Sequence, residues 1–178
     1  MADLFIDGSS SATLIGLTNG LCRTLPSRAP SDGVVFHAIQ ELLEISHLSL
    51  QDLSSIAAGS GPGSHTGTRA IAAIAKGLAL GLKKPFKLFP SLLLFLPQSK
   101  GALGTSLPTK SGQFHVLTYD TLTLQVMHNG LMSSDALDAL KPSLDAFGYD
   151  YSPCHLANFI KATASSSLNT SLDYLNFP

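Results

Sequence analysis

The stretch that most limits what this chain can fold into is GSGPGSHTGTR, Gly59 to Arg69. Upstream, Ser54 to Ala58 predicts a short buried strand. Downstream, the proline-free run Ala70 to Leu82 predicts a helix. Strand, glycine-rich turn and helix together aim a helix N-terminus, with its free N–H groups and positive dipole end, at whatever sits in front of it. Gly59, Gly61, Gly63 and Gly67 allow close backbone approach, Pro62 stiffens the turn, and Ser64 or Thr66 supplies a helix cap. The loop carries no Walker-type lysine. Gly67 also falls one residue late for the third glycine of a dinucleotide fingerprint. Two readings stay open: an anion or nucleotide contact through Gly61, Pro62, Gly63, Ser64, Thr66, Gly67 and Arg69, or a tight structural turn.

The helix after the loop has an unusual surface. Lys76 is the one charged residue between Ala70 and Leu82, and apolar or small residues occupy every face. A helix on the surface of a globular domain shows one apolar stripe and one polar face. A bilayer span takes roughly 20 residues, more than this run offers. Ile71, Ile74, Ala75 and Leu78 form one row at helical spacing, with Ala72, Ala79 and Leu82 off it. Each large apolar side chain gains about 1.5–3 kcal/mol on burial, so a second wet apolar face wastes several. The pattern predicts a protein–protein interface on this helix.

Composition fits that prediction. Charged residues make up 13% of the 178, well below the usual quarter, and 44% are hydrophobic. A subunit that hides surface in a complex has this profile. The net charge of −1 gives no bulk attraction for a polyanion, so any RNA contact must be local or supplied by a partner. Cys22 and Cys154 lie far apart, and no histidine pair has metal-ligand spacing, so no metal site is expected. The chain opens on the strand-like MADLFI, with no signal peptide or membrane segment in view, and reads as cytoplasmic.

In order, Asp3 to Ser11 predicts a strand entering an Asp-Gly-Ser turn, followed by strands over Ala12–Leu17 and Leu21–Leu25. Such a hairpin clasps phosphate in actin-like ATPases, with Asp7 facing the metal; alternatively Asp7 only bonds its own turn. Val34 to Ile45 predicts a helix carrying Val35, Ile39, Leu42 and Leu43 on one side. Phe86–Phe89 predicts a strand and Leu92–Leu96 a short helix. Gln98 to Thr105 reads as a link, dividing the chain into lobes at 1–97 and 98–178. Beyond it, Gly112–Thr118 and Leu122–Met127 predict a hairpin turning at Tyr119-Asp120-Thr121. Ser133 or Ser134 caps a helix to Leu140, and Ser152-Pro153 opens another through Lys161.

FIDGSS, GSGPGSHTGTR and the following AIAKGLALGL resemble the TsaB-type (YeaZ-like) family of bacterial tRNA threonylcarbamoyladenosine biosynthesis. The resemblance is firm from about residue 3 to 92, and Tyr174-Leu175 looks like the family's terminal element. It implies an α/β, actin-like (ASKHA, ribonuclease H-like) fold of two lobes, the second shortened here. It also implies a non-catalytic scaffold that binds and activates a TsaD-type catalytic subunit. A TsaE-type ATPase joins that complex, tRNA is met only through it, and ATP or ADP enters at most at its interface. Homodimers form in the family through the helices near 33–46 and 66–82, which puts Val35, Ile39, Ile71, Ile74, Ala75 and Leu78 at the partner-binding surface. His65 replaces a usual phenylalanine, Thr68 a valine or leucine, and Pro108-Thr109-Lys110 an Asp-Ala-Arg stretch. The alternative is an actin-like ATPase or kinase working through Asp7 and the glycine-rich loop. Against it, no second Asp-Gly turn occurs in the C-terminal half. A metallopeptidase would need the histidine pair that is missing.

Overall fold

The computed structural model describes residues 2–26 and 32–148, together with Leu156. Among these, the chain divides into two compact units, one running up to Ser91 and one starting at Leu92, ahead of the division drawn at 97/98 from the sequence.

The first unit is a five-stranded sheet with two helices on one face. Strands β1 (Ala2–Asp7), β2 (Thr13–Leu17) and β3 (Cys22–Leu25) form an antiparallel meander. Helix α1 (Asp32–Ile45) then leads to β4 (Leu53–Gly59), which returns parallel to β1. Helix α2 (His65–Leu82) crosses over to β5 (Phe86–Phe89), parallel to β4, giving the order β3-β2-β1-β4-β5. Parallel neighbours require such crossovers, and the helices supply the cover that parallel strands need.

The core follows from the two periodicities. Leu4 and Ile6, Ile15 and Leu17, and Ile56 and Ala58 alternate onto one face of the sheet. Val35, Ala38, Ile39, Leu42 and Leu43 of α1 meet them at i, i+3, i+4, i+7, i+8 spacing. Ile71, Ala72, Ala75 and Ala79 of α2 join the same cluster. The alanines let α2 lie close to the strands. Phe5 packs edge-on against Phe89, with ring centroids 6.4 Å apart. Across the strand pair, Phe5 faces Gly16, where a Cβ would stand 2.3 Å from the ring.

The second unit starts at Leu92, inside a 3-10 turn over Ser91–Phe95, where the sequence predicts a helix over Leu92–Leu96. It continues with β6 (Ala102–Pro108), β7 (Phe114–Asp120) and β8 (Gln125–Met132) as an antiparallel meander. After α3 (Ser134–Leu140), capped by Ser133, the short β9 (Ala146–Phe147) pairs parallel to β6, so the order is β8-β7-β6-β9. Part of the predicted link at 98–105 is therefore strand: β6 is paired on both sides, and Leu103 is fully buried. The hairpin turns at 121–124, beyond the predicted triplet, because Asp120 Oδ1 accepts from the Leu122 N–H (2.8 Å) and holds the turn there. The helix predicted over 152–161, like the Tyr174-Leu175 element, lies outside the described residues apart from Leu156.

Replacing Gly16 by alanine should force Phe5 out of its place over the strand pair. Urea denaturation is expected to show a loss of about 1–3 kcal/mol.

Candidate functional site

Four segments converge at the end of β1. The Asp7 carboxylate is 2% exposed and has three donors. Oδ2 accepts from the Ser9 N–H (3.1 Å) and the Ser9 hydroxyl (2.7 Å), and Oδ1 accepts from the Ser91 hydroxyl (2.5 Å). Ser91 Oγ in turn accepts from the Gly61 N–H (2.9 Å), while the Ser91 N–H donates to the Gly61 carbonyl (2.8 Å). One carboxylate thus ties the β1–β2 turn, the glycine-rich loop and Ser91, two residues past β5, into one corner. Burial dominates its titration and pushes the Asp7 carboxyl above the ordinary range; the hydrogen bonds from Ser91 and Ser9 oppose that shift.

The glycines are needed because the corner is tight. A Cβ at Gly59 would lie 1.8 Å from Asp7 Oδ1, and one at Gly63 would lie 2.2 Å from the Ser9 carbonyl oxygen. The β1–β2 turn sits directly on the loop: the Ser64 N–H donates to the Ser9 carbonyl (2.8 Å). Ser64 also caps α2, its hydroxyl accepting from the Gly67 N–H (3.2 Å), and its carbonyl accepts from the Thr68 N–H. The Gly61, Ser64 and Gly67 N–H groups, which an anion would otherwise use, are therefore engaged inside the protein. Gly61, Gly67 and Asp7 are buried, Pro62 and Ser64 half-buried, and Gly63, Thr66 and Arg69 exposed. The cap starts α2 at His65, in line with Ser64 as one of the two caps read from the sequence.

The six residues assigned to a partner surface divide in two. Val35, Ile39, Ile71 and Ala75 are at most 1% exposed and belong to the first unit's own core, so their side chains are not open to a partner. Ile74 and Leu78 are half-buried at the margin of that core. The outward face of α2 is instead Arg69, Ala73, Lys76, Gly77 and Leu80, with Leu80 80% exposed. Sequence reasoning placed the partner surface on a row of α2 that the structure turns toward the core. It also missed Ser9 and Ser91; the FIDGSS motif contains the first, but nothing local marks the second.

Among the described residues, no three His, Cys, Asp or Glu side chains gather as metal ligands, and no helix is long and apolar enough to cross a membrane.

Comparison with known proteins agrees with this architecture. Residues 33–106 match the family model of TsaD, tRNA N6-adenosine threonylcarbamoyltransferase. The tRNA threonylcarbamoyladenosine biosynthesis protein TsaB of Escherichia coli K12 is 36% identical over 88 residues, covering 48% of this chain and 38% of that protein. The protein of the same description from Buchnera aphidicola is 38% identical over 60 residues, covering 34% of this chain and 27% of that one. The matched segments thus span well under half the length of these curated relatives. YeaZ from Pseudomonas aeruginosa superposes with a TM-score of 0.69 at 15% identity, over 92% of this chain and 93% of that one. A crystal structure described as an uncharacterized protein with similarity to peptidase YEAZ, also from Pseudomonas aeruginosa, gives 0.72 at 14% identity, over 94% and 93%. The fold is the two-lobed α/β, actin-like fold of these YeaZ structures, and the resemblance to the TsaB family holds over the matched stretch.

Asp7→Asn removes the titrating carboxyl while keeping its shape. Because the folded-state pKa of Asp7 is raised, its protonated form stabilises the fold. That contribution is complete below the ordinary carboxylate value and is lost as pH rises through the folded value. Urea titrations from pH 3 to 8 should therefore show the parent chain losing stability relative to Asp7→Asn across that window, then staying level. Asp7→Ala should cost about 3 kcal/mol or more, since it strands the Ser9 and Ser91 donors in a buried site.

Proposed function

We propose that this chain is a non-catalytic subunit of the machinery that makes threonylcarbamoyladenosine beside the anticodon of tRNAs. It serves as scaffold and activator by binding a TsaD-type catalytic subunit, and a TsaE-type ATPase joins the same assembly. tRNA reaches the chain only through that complex. The similarity to TsaB proteins supports the pathway. The outer face of α2 supports the scaffold role, and Leu80, 80% exposed in mid-surface, is the observation that carries it.

That face has a cost the isolated chain does not recover. Gly77 and Gly81 lie within α2, and a Cβ built at either would meet nothing within 4 Å. Each costs about 0.5–1 kcal/mol relative to alanine in a helix, with no internal packing to justify it. Together with Ala73 they leave the helix backbone open to close approach by another helix. Helix α1, in the same layer, exposes Val34 and Phe36. An interface of ordinary size would bury about 800 Å² on each side, and the same surface serves for a homodimer when the catalytic subunit is absent.

The Asp7 corner supports a scaffold over an ATPase. A phosphate-binding hairpin needs a carboxylate facing metal and loop N–H groups facing phosphate. Here the carboxylate faces Ser9 and Ser91, and the loop faces the hairpin.

Leu80→Glu and Gly77→Arg are the informative substitutions, since Ile74 and Leu78 also pack on the core and charging them would damage the monomer. Each should abolish copurification with a tagged TsaD-type partner while leaving the melting temperature within a degree or two. Gly77→Ala should instead stabilise the isolated chain by about 0.5–1 kcal/mol. An undiminished complex with Leu80→Glu would refute the assignment.

A further inference from the structure

Opposite charges are unevenly placed along this chain. Its net charge of −1 conceals a stretch between Asp52 and Asp120 that contains no aspartate or glutamate. In the first unit that stretch supplies Arg69, Lys76, Lys83, Lys84 and Lys87. Helix α2 has no acid even in its first turn, where the helix dipole rewards one. Helix α1, DGVVFHAIQELLEI, has the reverse bias, with three carboxylates and no lysine or arginine. Arg69, Lys76 and Lys83 recur every seven residues, which keeps them on one stripe of α2 at intervals of about 10 Å. All three are exposed, and Leu80 lies on the same stripe between the two lysines. Among the described residues, neither Lys76 nor Lys83 takes part in an ion pair.

We propose that this stripe is one half of a charge-matched contact, and that it takes a helix of the partner carrying carboxylates at the same seven-residue spacing beside an apolar side chain. The proposal rests on α2 as the docking face for a TsaD-type subunit, and adds what that subunit must present. A second copy of this chain offers no such row. Helix α2 set in register against another α2 puts lysine on lysine, and on α1 Glu41 is already held by Arg23 and His37, which leaves Glu44 among the described carboxylates. Nucleic acid suits the lysines but not Leu80, which is 80% exposed and would face phosphate. A helix with an acidic rim suits both, since its carboxylates meet Lys76 and Lys83 while an apolar side chain covers Leu80. Flanking charges set partner choice and orientation in paired helices. They act on encounter rate and salt dependence more than on final tightness.

Binding kinetics of the full-length chain on an immobilised TsaD-type subunit test it. Lys76→Glu/Lys83→Glu should weaken binding about tenfold or more at about 50 mM salt, chiefly through slower association, and much less at about 500 mM, where screening removes the attraction. Lys76→Gln/Lys83→Gln, which removes the charges without reversing them, should lose less and flatten the salt dependence. Lys100→Glu/Lys110→Glu makes the same change in net charge at exposed positions of the second unit and should bind as the parent chain does. Circular dichroism should show every variant folded. Binding indifferent to both α2 pairs, an equal loss from the pair at 100 and 110, or the α2 lysines being needed instead for tRNA to bind the chain alone would each overturn the proposal while leaving the complex intact. A parent chain that never binds the catalytic subunit at either salt overturns the functional reading itself, and this proposal with it.

Discussion

A buried carboxylate held by hydroxyl and N–H donors organises the first unit. Asp7 is removed from water, which costs a charged group heavily unless donors replace the lost hydration. Ser9 and Ser91 are those donors, and Ser91 relays the tie to Gly61. The corner therefore fixes where β1 ends, where the glycine-rich loop starts and where the chain leaves the first unit. Through Ser64, held to the Ser9 carbonyl, it also fixes the start of α2.

What the corner positions is a helix with two different sides. Inward, Ile71, Ala72, Ala75 and Ala79 seat α2 closely on the sheet. Outward, Ala73, Gly77 and Gly81 leave its backbone bare and Leu80 projects. Rigid placement matters for such a surface, since a docking helix that must first be ordered loses that entropy from its affinity. The same corner that shuts the gap between hairpin and loop gives the helix the fixed place that the proposed docking requires.

The local parts of this arrangement were legible in the sequence. Glycine and proline mark the turn, Ser64 is among the caps named, and both helices end where the sequence predicts, at Ile45 and Leu82. Two things were not. Ser91 lies 84 residues from Asp7, and an unremarkable Pro-Ser pair gives no sign of which distant group it will meet. The facing of α2 was also hidden, because alanine and glycine suit a buried or an exposed position equally well. Of the larger side chains in the row containing Ile71, Ile71 lies in the monomer's own core and Ile74 and Leu78 pack at its margin. Strand β6 escaped notice for a related reason: Gly104, Thr105 and Ser106 resemble a linker, and only pairing on both sides makes them strand.

Hydrogen–deuterium exchange across the first unit, with and without the TsaD-type catalytic subunit, tests the central claim most directly. The account predicts that peptides spanning residues 66–82 gain the largest protection on complex formation, while those around Asp7 and Gly59–Gly63, already locked, change little. Protection confined to other segments, with α2 unaltered at saturating partner, would contradict it.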